Sequence, residues 1–439
     1  ELARRALKDI FGIVSVIGSG VDRCLLPTPS DLYSRWNAST SQRWADHIQT
    51  LIEQKLHQVT FTTGQGRYAR YKVLAGVVQT IGDDMEESRV VCLATGTKCP
   101  SSETQDTKGR VVSDCHAEVV ARRCLRRYLA EQVSARRAES VFDEVENGGR
   151  LKLKDGVRFH LYIGCPPCGD AASFTKEAHS MGSGDGHPHR GARGILRAKI
   201  WQGESTIPLT GKAAAAPERL FAMACSDKVA SWNVLGLQGA LLSHLLAPVY
   251  LSSVVLGSQC HPDHLPRALY GRLTDLPALP DGYILNKPLM VAASRPSSQL
   301  LGTAPSAKSP GFSVNWTRGT TADDTDSSIE VIMTDTGLTK AGTPACISKV
   351  ALFSTFMTAV RALPTTKHNH KKRRDKTRKP NDHGVGRLQH HLTNRSTYRQ
   401  VKDDAKDYQT CKRLLKETFL SEGLGQWLVK SKLCDDFTC

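Results

Sequence analysis

The feature that most constrains this chain is an ordered set of donors: His116-Ala117-Glu118, then Pro167-Cys168, then further cysteines downstream. His116 stands where a polar loop gives way to an apolar run of helical period. A helix is therefore expected from about Asp114 to Val133, capped by Ser113 or Asp114. Pro167-Cys168 follows Phe159 to Gly164, a strand by its composition, and should open a second helix. One imidazole and two thiolates fill three corners of a tetrahedral zinc site and leave the fourth for water. Helix N-termini beneath His116 and Cys168 add positive potential at that end. Glu118, two residues past the His116 ligand, can take a proton from that water and pass it on.

The third donor has to be chosen. Close spacing would put it at position 171, which is Ala171. Cys165 makes Cys165-Pro166-Pro167-Cys168, readable as a redox pair, but it ends a strand on the wrong side of the helix start. Cys225, within Met223-Ala224-Cys225-Ser226-Asp227-Lys228, is the better candidate, across a long insertion. Each element alone is weak, because His-x-Glu arises by chance and a buried Cys is often just a small apolar residue. In this order, with the cap and the Pro-Cys turn, they point to a catalytic metal.

The remaining composition narrows the partner. A net charge of +16 over 439 residues favours a polyanion, nucleic acid first, since neutralised phosphates release counterions. An ordinary soluble basic protein is the plain alternative. Thirteen irregularly placed cysteines argue against a disulfide framework and for a reducing compartment. No apolar run reaches the ~18 residues that cross a bilayer, so no membrane partner is expected.

Along the chain, Leu2, Ala6, Leu7, Ile10 and Phe11 share a helical stripe, and residues 14–44 read as a linker rich in Gly, Pro and Ser. The chain opens at Glu1 without a methionine and is expected to be a fragment. A helix from Ala45 to Val59 follows, then strands over 72–80, 90–95, 159–164 and 249–256. The run from Trp232 to Leu246 reads as one buried helix. Residues 178–194 form a Gly- and His-rich loop, and 295–328 carry weak structure. Residues 367–379, dominated by Lys and Arg with Asp375 the one acid, read as a solvated insert: a phosphate-binding arm, a nuclear-localisation signal or filler. The end, about 398–430, is helical again. Alternating strands and helices indicate an α/β layer fold.

These residues resemble the adenosine-to-inosine RNA editase family, which holds double-stranded-RNA-specific and tRNA-specific adenosine deaminases. The resemblance covers about 70–435 and runs through Gly96-Thr97-Lys98-Cys99, Asp114 to Glu118, Arg158 to Tyr162, Pro167 to Asp170, Gly203 to Pro208, Cys225 to Lys228, Trp232 to Gly236 and Gly423 to Trp427. The His-x-Glu, Pro-Cys and downstream Cys order is also the zinc-deaminase signature. The resemblance implies a cytidine-deaminase-like core: a mixed central sheet with helices on both faces, enlarged by a C-terminal helical region, over 45–439. It implies zinc on His116, Cys168 and Cys225, with Glu118 as acid and base. It also implies base flipping, because C6 of a paired adenosine is out of reach in a duplex. Glu204 would fill the space left by the flipped base, where it would otherwise read as a solvent-exposed turn acid. Val73 and Thr97 would line the nucleotide pocket.

The resemblance further implies a buried inositol hexakisphosphate. Its matching positions are Lys98, Arg122, Arg123, Lys228, Trp232, Lys349, Tyr398, Lys402, Tyr408, Lys412, Trp427 and Lys430, with Asp114 and Lys199 linking it to the metal site. Arg122 and Arg123 stand out without the family, since they fall between apolar positions of the zinc helix; snorkelling to the surface is the plain alternative. Ser231 stands where the family commonly has a cage arginine, Ser113 where an asparagine is common, and Ala172 where a basic residue lies near substrate. Arg193 to Lys199 and the spacing of Cys168 and Cys225 favour double-stranded RNA over tRNA, and residues 1–13 look like the tail of an upstream double-stranded-RNA-binding domain. A catalytically inactive RNA-binding relative would be expected to lose Glu118 or a ligand. A free-nucleoside or cytidine deaminase fits the charge poorly. The expected compartment is the nucleus, with the cytoplasm also open.

Overall fold

The computed structural model describes residues 38–438 apart from 65, 69–70, 72, 83–84, 101–105, 136–139, 144–148, 174–192, 204, 210–219, 221, 259–260, 298–309, 321–327, 364–391, 393–395 and 430–431. The stripe of 2–11, the insert at 367–379, Glu204, Lys430 and most of the loop at 178–194 lie outside the described residues.

Helix α1 spans Ala38–Thr62 and takes in residues 38–44, which the sequence assigned to the linker. Trp44, Ile48, Ile52, Leu56 and Val59 recur three or four residues apart, so one face of the helix is apolar and buried. Strands β1 (Leu74–Ile81), β2 (Arg89–Thr95), β5 (Val157–Ile163), β9 (Ser253–Leu256), β10 (Leu289–Ala292), β11 (Phe312–Thr317) and β12 (Ser328–Met333) make one sheet in the order β10-β9-β5-β1-β2-β11-β12. β10, β9 and β5 run parallel, and the other pairs are antiparallel. The sheet is therefore mixed. β11 corrects the expectation of weak structure over 295–328: its Trp316 is buried in the sheet.

Side chains alternate along β1, and the two faces go to different helices. Leu74 and Val78 join Tyr162, Leu93 and Trp316 against α1. Ala75 and Val77 join Phe159, Leu161 and Val91 against α2, which spans Ala117–Ser134. Each large side chain fully buried this way contributes ~1.5–3 kcal/mol. A ribbon of β3 (Phe142–Asp143) and β4 (Lys152–Leu153) lies outside the main sheet, as does a small sheet in the order β7-β6-β8, with β6 Arg197–Ile200, β7 Ser205–Pro208 and β8 Ala222–Met223.

The expected helix over 232–246 is broken. Helix α4 covers Cys225–Leu235 and ends at Gly236, whose φ of 74° suits a residue without Cβ; a short α5 (Gly239–Leu242) follows. The other helices are α3 (Asp170–Ser173), α6 (His264–Leu269), α7 (Lys349–Ala362), α8 (Tyr398–Asp403) and α9 (Lys406–Ser421). α7 packs on α2 through Phe353 and Phe356. α9 lays Cys411, Leu415 and Phe419 on Leu196 just before β6, on Ala198 within it, and on Ala230 and Val234 of α4. The C-terminal helical region stops at Ser421, short of the expected 430. Among the described residues no helix is long and apolar enough to cross a membrane.

Candidate active site

Three local folds converge at one end of α2. His116 is its N-cap, in extended conformation, and the turn is held by Ala117 N donating to Gly96 O and Cys115 N to Lys98 O. Ser113 and Asp114 do not cap the helix as expected. Asp114 instead accepts from the backbone N of His116 at 3.1 Å and turns its carboxylate to two lysines. Cys168 lies in the turn before α3, and its carbonyl accepts from Ser226 N at 2.9 Å. Cys225 is the first residue of α4, and its N donates to Cys168 Sγ at 3.4 Å. So the helix beside the second sulfur is α4, while the one expected right after Cys168 begins at Asp170 and is described over four residues.

The donor atoms of His116, Cys168 and Cys225 lie within 4.8 Å of one another. His116 Nδ1 faces Cys168 Sγ at 3.8 Å. Cys225 and His116 are buried, and Cys168 is partly so. A hydrogen bond from Cys225, followed by the charge of Lys199, holds the Cys168 thiol well below its usual pKa despite its burial. Burial pushes the Cys225 thiol up, helped by Cys168 and by the carboxylate of Glu118. Burial alone would lower His116, but the charge and hydrogen bond of Cys168 carry it up to about 10. Soft and borderline donors with one thiol poised to ionise suit zinc. Glu118 sits in the first turn of α2, 3% exposed, shielded from bulk water.

Next to this trio lies a buried ion pair. Lys199, on β6, donates to both oxygens of Asp114, and Lys228, one turn into α4, donates to Oδ2. Gly203 closes the other side: its φ is 91°, and a Cβ there would stand 2.8 Å from His116 Nε2 and 3.1 Å from Cys99 Sγ. Val73 and Thr97 flank Gly96, whose N donates to Val73 O, and Thr97 Oγ1 is buried without a hydrogen-bond partner among the described residues.

Beyond the ion pair the cations gather. Arg122 Nη2 donates to Gly236 O at 3.4 Å and its guanidinium lies 5.1 Å from the Trp232 ring. Arg123 Nε donates to Ile347 O at 2.8 Å. Burial, with the like charge of Arg126 contributing, pushes both arginines down to about 10. Tyr408 lies against Arg122 and partly offsets this. Lys349 and Lys402 share the carboxylate of Asp435, and Lys402 stands over the Tyr398 ring at 4.9 Å. Trp427 packs on Phe419, near Tyr408. Lys412 projects from α9 close to Lys416. Lys98 contributes its carbonyl to the His116 turn.

Sequence reasoning missed four participants. Asp170 and Asp227 are each two residues past a cysteine donor: Asp170 accepts from Gly194 N at 2.8 Å and pairs with Arg267, and Asp227 accepts from Arg197 N at 2.8 Å and pairs with Arg272. The repeated Cys-x-Asp spacing was the available signal. Cys99 lies within 4.8 Å of Asp114 and His116 in donor atoms. Asp435 carried no motif.

Residues 92–431 match the adenosine-deaminase (editase) domain model. The chain belongs to that family. This editase domain is 39% identical to the double-stranded RNA-specific editase Adar of Drosophila melanogaster over 428 residues, 94% of this chain and 57% of that protein. It is 36% identical to the double-stranded RNA-specific editase B2 of Mus musculus, over 90% of this chain and 51% of that one. The tRNA-specific adenosine deaminase 1 of Drosophila melanogaster is 29% identical over 48% of the chain. The editase domain thus spans about half the length of the editases it matches. The α/β core is as the residues predicted, and the mixed sheet is as the resemblance implied.

Proposed function

We propose that this editase domain deaminates adenosine to inosine in double-stranded RNA, using zinc on His116, Cys168 and Cys225. The observation that carries the proposal is the convergence of those three donors within 4.8 Å, next to the buried Glu118, in a member of the editase family. Bound there, zinc lowers the pKa of a water toward ~7. Glu118 takes one proton from the attacking water and delivers it to N1 of the adenine ring; it then carries the proton of the new C6 hydroxyl to the departing ammonia, leaving the C6 carbonyl of inosine. Burial keeps bulk water from competing for that proton. Base flipping is part of the proposal because the target carbon of a paired adenosine is closed off in a stacked duplex. Thr97 and Val73 are assigned to the pocket that takes the flipped base, and Glu204 to the space the base leaves behind.

Buried arginines and lysines that outnumber nearby carboxylates favour a bound polyanion, and inositol hexakisphosphate is the ligand we assign to them. Arg122 Nε and Arg123 Nη2, buried and without hydrogen-bond partners among the described residues, supply unused donors for it.

Double-stranded RNA is favoured over tRNA because the matches to double-stranded-RNA enzymes cover 90% or more of the chain, against about half for the tRNA enzyme. The test is to incubate the protein with a long duplex and with a tRNA pool and to sequence for adenosine read as guanosine. Conversion spread along the duplex is expected. Conversion of one tRNA position alone would move the chain to the tRNA branch.

A further inference from the structure

The cation cluster holds one more arginine than the motifs assign to it. Arg126 lies on α2 four residues past Arg122 and three past Arg123, so all three project from neighbouring stripes of one helix. Its Nε is buried and has no hydrogen-bond partner among the described residues, as is true of Arg122 Nε and Arg123 Nη2. A Cβ built on Gly239 would stand 3.1 Å from Arg126 Nε and 3.5 Å from Arg122 Nη2, so both guanidiniums meet the same piece of backbone. Arg126 also acts on Tyr398: burial opposes ionisation of that phenol, yet Lys402 and then Arg126 hold it below its usual pKa. Among the described residues none of the three arginines forms an ion pair. Their neighbour Arg127, by contrast, pairs with Glu131 at 2.7 Å.

Three guanidiniums with unused buried donors and no carboxylate form an unstable arrangement unless an anion joins them. Ser231, on α4, turns its hydroxyl back to Lys228 O at 2.6 Å and offers no cation. We propose that Arg126 is a direct ligand of the buried polyphosphate and supplies from α2 the positive charge that position 231 lacks. The inference rests on the polyanion reading above and adds to it a residue that no motif marks. A guanidinium fork can hold two phosphate oxygens at once, whereas an ammonium acts as a point charge.

The test counts inositol hexakisphosphate released by acid denaturation from the purified full chain, before and after dialysis against high salt. Wild type is expected to keep about one per chain. Arg126→Leu should lose it about tenfold faster, the scale of one charge-assisted contact. Adding Ser231→Arg to Arg126→Leu should restore retention, which a purely structural role for Arg126 would not do. Arg127→Leu should behave as wild type. A loaded wild type with an unchanged Arg126→Leu overturns this inference and leaves the polyanion reading standing. A wild type that carries no polyphosphate overturns both. Should Arg126→Leu not fold, Arg126→Lys decides: faster loss than wild type supports the inference, and an equal rate overturns it.

Discussion

Lys199 Nζ lies 2.8 Å from Asp114 Oδ2 and 3.0 Å from Oδ1, and Lys199 has no solvent exposure. Such a pair is stabilising only as a pair, because either charge left alone would be desolvated without compensation. It also fixes the turn that carries His116, since Asp114 accepts from the His116 backbone N.

Breaking the pair from one side should therefore cost more than removing it. Asp114→Asn and Lys199→Met are each expected to destabilise the fold by about 3–5 kcal/mol, and the double variant by less than their sum. Urea unfolding of the four proteins measures the coupling. Strict additivity would show that the two charges are solvated separately.

His160 gives the fold a pH dependence. It is buried against Trp44 and bonded to Thr80 at 3.1 Å and Ser253 at 2.8 Å, and burial followed by the charge of Arg158 lowers its pKa to about 3. An unfolded His titrates near ~6.5, so below that pH the unfolded chain binds the extra proton and stability falls as pH falls. Between about pH 6.5 and 4.5 the slope from this one group approaches ~1.4 kcal/mol per pH unit. His160→Gln should flatten denaturation midpoints over that window; an unchanged slope would assign the dependence elsewhere.

Metal content separates ligands from the proton carrier. His116→Ala, Cys168→Ala and Cys225→Ala should each lose bound zinc, while Glu118→Gln keeps about one per chain, because a residue that only moves protons contributes no bond to the metal. Zinc retained by Cys225→Ala would remove that residue from the ligand set.

Gly203→Ala tests the close wall over His116. Its φ of 91° and the 2.8 Å approach to His116 Nε2 leave no room for a methyl group. Backbone strain alone costs about 1–2 kcal/mol. The displaced imidazole should also release zinc to a chelator faster than wild type does. A variant matching wild type in both readouts would show that the wall is mobile.

Much of the site was legible because its chemistry is written in residue types at helix and strand ends: His116, Glu118, Cys168 and Cys225 could be ordered before any coordinates. The apolar spacing within Ala45 to Val59 likewise marked α1, although its first turns, Ala38 to Trp44, were read as linker. The helix break at Gly236 was missed because Trp232 to Ser243 is buried residue after residue, Asn233 and Gln238 included, and burial on all sides erases the pattern that would show a boundary. β11 was missed because Trp316 and Val314 sit among Ser, Thr and Gly. Asp435 and Arg126 gain their meaning only from neighbours far away in sequence.

Under the proposed function, the buried Glu118 beside a His-Cys-Cys zinc site moves the protons of adenosine deamination in RNA. The most direct measurement is inosine formed per bound zinc in a long duplex, for wild type and Glu118→Gln loaded to the same zinc content. The account predicts conversion by wild type and at least a ~100-fold loss in Glu118→Gln, the scale of general acid–base catalysis. Comparable conversion by the two proteins, or none by a zinc-loaded wild type, would contradict it.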